Sequence, residues 1–121
     1  MDSEHLRPKM LLLEPDFLWR RTMARFAEKH GFRVQLVTSF SELKKRWHKF
    51  EPDVLVTSND VRHHKTASEM TYLFGRTPTL IIYGASQRRK SLPKDPYTEG
   101  IARNQGAISI CEKAKNMIKE L

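Results

Sequence analysis

The chain has 121 residues, with 22 Lys and Arg against 14 Asp and Glu and a formal charge of +8. That length suits one domain, residues 1–121 with 1–8 as a polar N-terminal arm, burying roughly two thirds of its unfolded surface. The single cysteine, Cys111, excludes an intrachain disulfide, and the longest apolar runs, residues 10–13 and 80–83, are too short to span a bilayer; a cytoplasmic protein without membrane contact is expected.

Residues 9–13 are continuously apolar after Lys9, which suits a strand covered on both faces. Glu14, Pro15 and Asp16 stop it, and the Asp16 carboxylate can accept from the free backbone N–H groups of a following helix. In that helix Trp19, Met23, Phe26, Ala27 and His30 share one face, and Gly31 ends it. Residues 32–37 alternate apolar with polar, as a strand near a sheet edge does. Ser39 and Glu42 have the spacing of a capping box, and Leu43, Trp47 and Phe50 give the second helix its buried stripe. The lysines and arginine around that stripe read as a solvated outer face.

Pro52 breaks the second helix and leads into a third strand that ends at Ser58. A polar loop over residues 59–65 precedes a short third helix over 66–74, and residues 79–83 form the fourth strand. Residues 84–96 have linker character and carry Arg88, Arg89, Lys90 and Lys94 with two prolines. The pattern then predicts a brief helix over 97–104, a fifth strand over 108–111 and a last short helix over 113–121. Strands alternating with helices imply an α/β fold with a parallel sheet, helices on both faces and right-handed crossovers.

The order of Leu11-Leu12-Leu13-Glu14-Pro15-Asp16, Arg20-Arg21, Gly31-Phe32, Glu51-Pro52-Asp53, Thr77-Pro78 and Gly106-Ala107 with Lys113 seven residues on resembles bacterial response-regulator receiver domains of two-component signalling. The resemblance covers nearly the whole chain and implies a doubly wound, flavodoxin-like sheet of five parallel strands in the order 2-1-3-4-5. It also implies a pocket at the strand ends. There, two acids after the first strand and an acceptor Asp after the third bind Mg2+, a Lys after the fifth strand pairs with the phosphoryl oxygens, and a Thr or Ser ends the fourth.

Carried over by position, Glu14 matches the first acid, Pro15 the second and Ser58 the acceptor, with Tyr83 at the switch hydroxyl and Gly84 after it. Lys113 stands for the pocket lysine, with Ala114 where a proline would follow, and it would pair with Glu14. A neutral hydroxyl is a poor Mg2+ ligand and a poor nucleophile without a base. The resemblance therefore implies a degenerate pocket, with neither Mg2+ nor another cofactor expected. Asp60, two residues past Ser58, remains an alternative phosphoacceptor together with Glu14 and Asp16.

No enzyme signature accompanies this pocket. Adjacent His63 and His64 lack the spacing of metal ligands, no Gly-x-Ser-x-Gly elbow surrounds Ser58, and the glycines do not cluster into a phosphate loop. In receivers the region after the fourth strand contacts partners, and here it reads as longer than usual and basic. Tyr83, Arg88, Arg89, Lys90, Lys94 and Tyr97 are the candidate partner-binding residues for a signalling protein. A nucleic-acid backbone is the alternative partner for the same cations, although no sequence-reading motif is present. Oligomeric state is open in the sequence.

Overall fold

The computed structural model describes residues 7–58, 76–84 and 96–120, with Glu120 described by its backbone only. Five strands, β1 (Lys9–Leu13), β2 (Arg33–Val37), β3 (Val54–Ser58), β4 (Thr79–Tyr83) and β5 (Thr98–Ala102), form one parallel sheet in the order β2-β1-β3-β4-β5. The described helices are α1 (Phe17–Lys29), α2 (Phe40–Phe50) and α3 (Ala107–Glu120). The expected third helix over 66–74 lies outside the described residues.

The apolar runs behave as parallel strands should. Met10 to Leu13, Val54 to Val56 and Leu80 to Ile82 are almost fully buried; α1 and α3 cover one face of the sheet, and α2 packs on the other against β1, β2 and Leu55 of β3. One core gathers Met10, Leu12, Val54, Val56, Leu80 and Ile82 under α1 and α3. A smaller one gathers Leu11, Leu13, Val37 and Leu55 under Leu43, Trp47 and Phe50 of α2. The period of two along a strand divides its side chains between these cores. β2, with its polar alternation, is an edge strand as expected.

Local signals fixed both early helices. Asp16 Oδ1 accepts from Trp19 N at 3.0 Å, and Gly31 leaves α1 with a φ of 90°. Ser39 Oγ accepts from Glu42 N at 3.2 Å, a cap that contributes about 1 kcal/mol. The Glu42 carboxylate does not return to Ser39, as a reciprocal capping box requires. It accepts from Thr38 N and Thr38 Oγ1 at 3.2 and 3.0 Å, and those bonds hold its carboxyl below the usual range.

The C-terminal third departs from the sequence expectation. Residues 98–102, expected within a helix, are strand β5, and residues 108–111, expected as a strand, are the start of α3. The two β-branched residues of Ile108-Ser109-Ile110-Cys111 suggested a strand, but burial follows the helical period. Ala107, Ile110, Cys111, Ala114 and Met117 are buried while Ile108 is exposed. β5 has weak strand propensity, Glu99 and Gly100 included, and is recruited by its backbone in register with β4, from Thr79↔Thr98 to Tyr83↔Ala102. Residues 84–97 are the whole crossover between two adjacent parallel strands, which needs a dozen or more residues in any case.

Candidate functional site: the strand-end cluster

Parallel strands bring their C-terminal ends to one edge of the sheet. Glu14 follows β1, Ser58 closes β3, Tyr83 closes β4 and Arg103 follows β5, in a short 3-10 turn, Arg103–Gln105. Two strands, β3 and β4, separate β1 from β5, so only a long side chain could join those ends. Arg103 does so. Its Nη2 donates to Glu14 Oε1 at 2.9 Å and to Ser58 Oγ at 3.3 Å. Its guanidinium also lies over the Trp19 ring of α1, 5.3 Å from the centroid.

Glu14 is 1% exposed, and burial pushes its carboxyl above the usual range. The N–H of Asp16, which donates to Glu14 Oε2 at 3.1 Å, and the Arg103 charge oppose that rise. The Glu14 backbone is held as well: its N–H donates to Val37 O at 3.2 Å, and Arg20 Nη1 donates to its carbonyl at 2.8 Å. Pro15 offers only a carbonyl, 3.4 Å from Arg20 Nη1. Asp16 is exposed, and its carboxylate is engaged by the α1 cap. Ser58 is buried beside Thr57, whose hydroxyl donates to Ser58 O at 3.3 Å. The cluster therefore contains one buried carboxylate, one hydroxyl and one guanidinium that binds both. Among the described residues no three His, Cys, Asp or Glu side chains gather as a metal site.

Lys113, expected to face Glu14, lies instead in the second turn of α3. Its Nζ is 3.8 Å from Glu99 Oε2, and both side chains are well exposed, a pair of little energetic weight. The expectation failed because the fifth strand was set ten residues too late, and Lys113 was counted from the wrong strand. Once β5 is known, the first long cation after it is Arg103, with Asn104 next and Ala114 buried in α3. No local signal in residues 98–102 marks a strand; only their pairing with β4 places Arg103 at a strand end.

Asp60, His63, His64, Arg88, Arg89, Lys90 and Lys94 lie outside the described residues. Tyr83 and Tyr97 do not form one anchor pair, since Tyr83 ends β4 while Tyr97 precedes β5 and accepts from Thr79 N at 2.8 Å. They mark opposite edges of the sheet. Cys111 is buried, and burial pushes its thiol up to about 11, which leaves it protonated at neutral pH.

The strand order, the helices on both faces and the acidic residue at the end of β1 can be compared with solved structures. A protein of Chloroflexus aurantiacus assigned as a response regulator superposes with a TM-score of 0.81 at 14% identity, covering 93% of this chain and 98% of that one. The fold is the receiver fold. An orphan response regulator of H. pylori gives a TM-score of 0.76 at 12% identity over 92% of this chain and 96% of its own. An atypical orphan response regulator, described as working by a phosphorylation-independent mechanism, gives 0.73 at 12% identity over 93% and 97%. No family model and no curated protein matches the sequence. Identities this low establish the receiver architecture, and the chemistry must be read from the side chains.

Proposed function

We propose that the chain is a receiver-like signalling module whose strand-end pocket has lost phosphoryl transfer, and that it regulates by binding a protein. The observation that carries this is the placement of Arg103. A receiver pocket concentrates carboxylates so that Mg2+ can offset their charge and that of the incoming phosphoryl group. Here one carboxylate remains buried, and a fixed guanidinium already neutralises it at 2.9 Å. A second cation would be repelled by Arg103 and would find the Ser58 hydroxyl, the Pro15 carbonyl and the capping Asp16 as poor alternatives. The donor set does not fit Mg2+. Among the described residues the partner of the Ser58 hydroxyl is the Arg103 cation and no base, which argues against Ser58 as phosphoacceptor.

The orphan regulators of similar fold are consistent with a role that needs no phosphorylation, and one of them is described in those words. No helix among the described residues is long and apolar enough to cross a membrane. We take the chain to be non-enzymatic and cytoplasmic.

Incubation with Mg2+ and acetyl phosphate, followed by intact-protein mass spectrometry, should show no phosphoryl adduct. Beryllium fluoride with Mg2+ should likewise leave the amide NMR spectrum unchanged. A stable gain of one phosphoryl group that disappears in Asp60→Asn would overturn the reading in favour of Asp60 as acceptor.

A further inference from the structure

A second concave site lies at the opposite edge of the sheet from the strand-end cluster. Trp47, His48, Glu51, Pro52 and Thr77 line a cleft of about 260 Å3 where α2 ends and the chain enters β3 and β4. Lys44, Trp47, His48 and Glu51 stand at i, i+3, i+4 and i+7 of α2 and its C-cap, so they follow one another down a single side of the helix. Lys44 and His48 are exposed, and Trp47 is half-buried against the smaller core. That side presents a cation, two aromatic rings and a carboxylate in order, over about 10.5 Å of helix axis.

Glu51 is the one residue other than glycine with a positive φ among the described residues, at 50°. A side chain is disfavoured in that left-handed region, where helix ends ordinarily carry Gly or Asn. The backbone closes in the usual way, Glu51 N donating to Trp47 O at 3.0 Å, while the exposed carboxylate has no partner among the described residues. A strained position that keeps a long acidic side chain points to a use for that side chain.

Charge divides along the helix. Lys44, Lys45 and Lys49 are exposed and take no part in the ion pairs among the described residues, Glu14–Arg103 and Glu99–Lys113. Glu42, the other acid of α2, is held by Thr38 at the far end, and Asp53 accepts from Lys9 N at 2.7 Å. The carbonyl end of α2 adds partial negative charge beside Glu51. An anion is therefore received at Lys44, and hydrogen-bond donors at Glu51.

From this order of groups we infer that the cleft binds a guanine nucleotide. The base lies against Trp47 and His48, its N1–H and N2–H donate to the Glu51 carboxylate, and the phosphate rests on Lys44. Guanine is the base whose Watson–Crick edge sets two donors side by side, the pattern a carboxylate accepts. Adenine, cytosine and uracil each set an acceptor beside their donor, which Glu51 repels. Stacking is indifferent to base identity, so the choice rests on Glu51. The cleft is smaller than the roughly 300–1,000 Å3 of sites that enclose a whole drug-sized ligand, so it takes the base and leaves ribose and phosphate along α2. An acidic peptide would bring its carboxylates against Glu51 and the helix carbonyls. The nucleotide is free or part of a single strand, whose neighbouring phosphates Lys45 and Lys49 would meet. This inference goes beyond the protein-interaction reading and does not depend on it.

The test titrates the full chain with GMP, AMP, guanosine, inorganic phosphate and single-stranded oligonucleotides with and without guanine, followed by amide NMR. GMP is expected to shift the amides of Trp47, His48, Glu51 and Thr77 and to bind about tenfold or more tightly than AMP. Glu51→Gly suits the left-handed cap and keeps the urea midpoint, yet should erase that preference. Lys44→Glu should weaken GMP about tenfold and leave guanosine unchanged. Tighter binding of guanine oligonucleotides than of GMP, with a steeper salt dependence, would identify a strand as the source, and equal affinity the free nucleotide. Equal affinity for AMP and GMP, the same shifts from phosphate alone, GMP binding unaltered by Glu51→Gly, or no shift at about 1 mM of any ligand would overturn the inference.

Discussion

Arg103→Ala is expected to lower the free energy of unfolding by about 3 kcal/mol, read as a shift in the urea midpoint at unchanged slope. Removing one member of a buried ion pair leaves the other charge stranded, and that cost commonly runs to about 3–5 kcal/mol. The lower end applies here for two reasons. The Arg103 side chain is 38% exposed, so water already screens the pair, and its buried Nε has no hydrogen-bond partner, a defect the variant removes. Glu14→Gln should cost less, because an amide is easier to bury than an unpaired carboxylate and can still hydrogen-bond.

The Arg103→Ala deficit should depend on pH with a definite sign. Glu14 already has a carboxyl raised above its unfolded value of 4.5 by burial, and losing Arg103 raises it further. A group with a raised folded pKa stabilises the fold below its unfolded pKa, and that contribution is lost as pH rises through the folded pKa. The variant should therefore lie closest to wild type in acid and fall behind as Glu14 ionises. A deficit independent of pH would show that stacking on Trp19, and not the charge pair, accounts for the loss.

Leu12→Ala should be comparably severe, at about 3–4 kcal/mol by the same denaturant measurement. Leu12 is fully buried in the larger core, on a strand paired to β2 through Leu36 and to β3 through Val56. Strands on both sides and helices on both faces leave little freedom for the surroundings to collapse, so transfer and cavity costs add. Leu12→Met, which nearly conserves volume, should cost less than about 1.5 kcal/mol. A small loss in Leu12→Ala would mean that α1 relaxes into the vacated space, bringing Met23 toward β1.

The first half of the domain was legible in the sequence because its signals are local. The unbroken apolar runs of β1 and β3, the Asp16 and Ser39 caps and the stripe of α2 all fall where spacing places them. The C-terminal third was not legible because its decisive facts are long-range. β5 is a strand through backbone pairing with β4, and nothing in Thr98-Glu99-Gly100-Ile101-Ala102 announces it. The same misplacement carried into the site. Glu14 and Ser58 follow well-marked strands and lie where expected, whereas the cation was sought at Lys113 when the fold supplies Arg103. Pro15 and Asp16 keep their expected positions but serve the turn and the helix cap.

The Glu14–Arg103 bond joins residues 89 positions apart, linking the exits of the first and last strands. A contact that closes so long a stretch of chain is entropically costly to form before the intervening strands have paired. It should be nearly absent from the folding transition state and complete only in the native state. Its worth would then appear almost wholly in the unfolding rate, with Arg103→Ala hastening escape from the folded state and leaving refolding nearly unchanged. The residue that fills the pocket would thus also act as a kinetic clasp, set after the sheet is built.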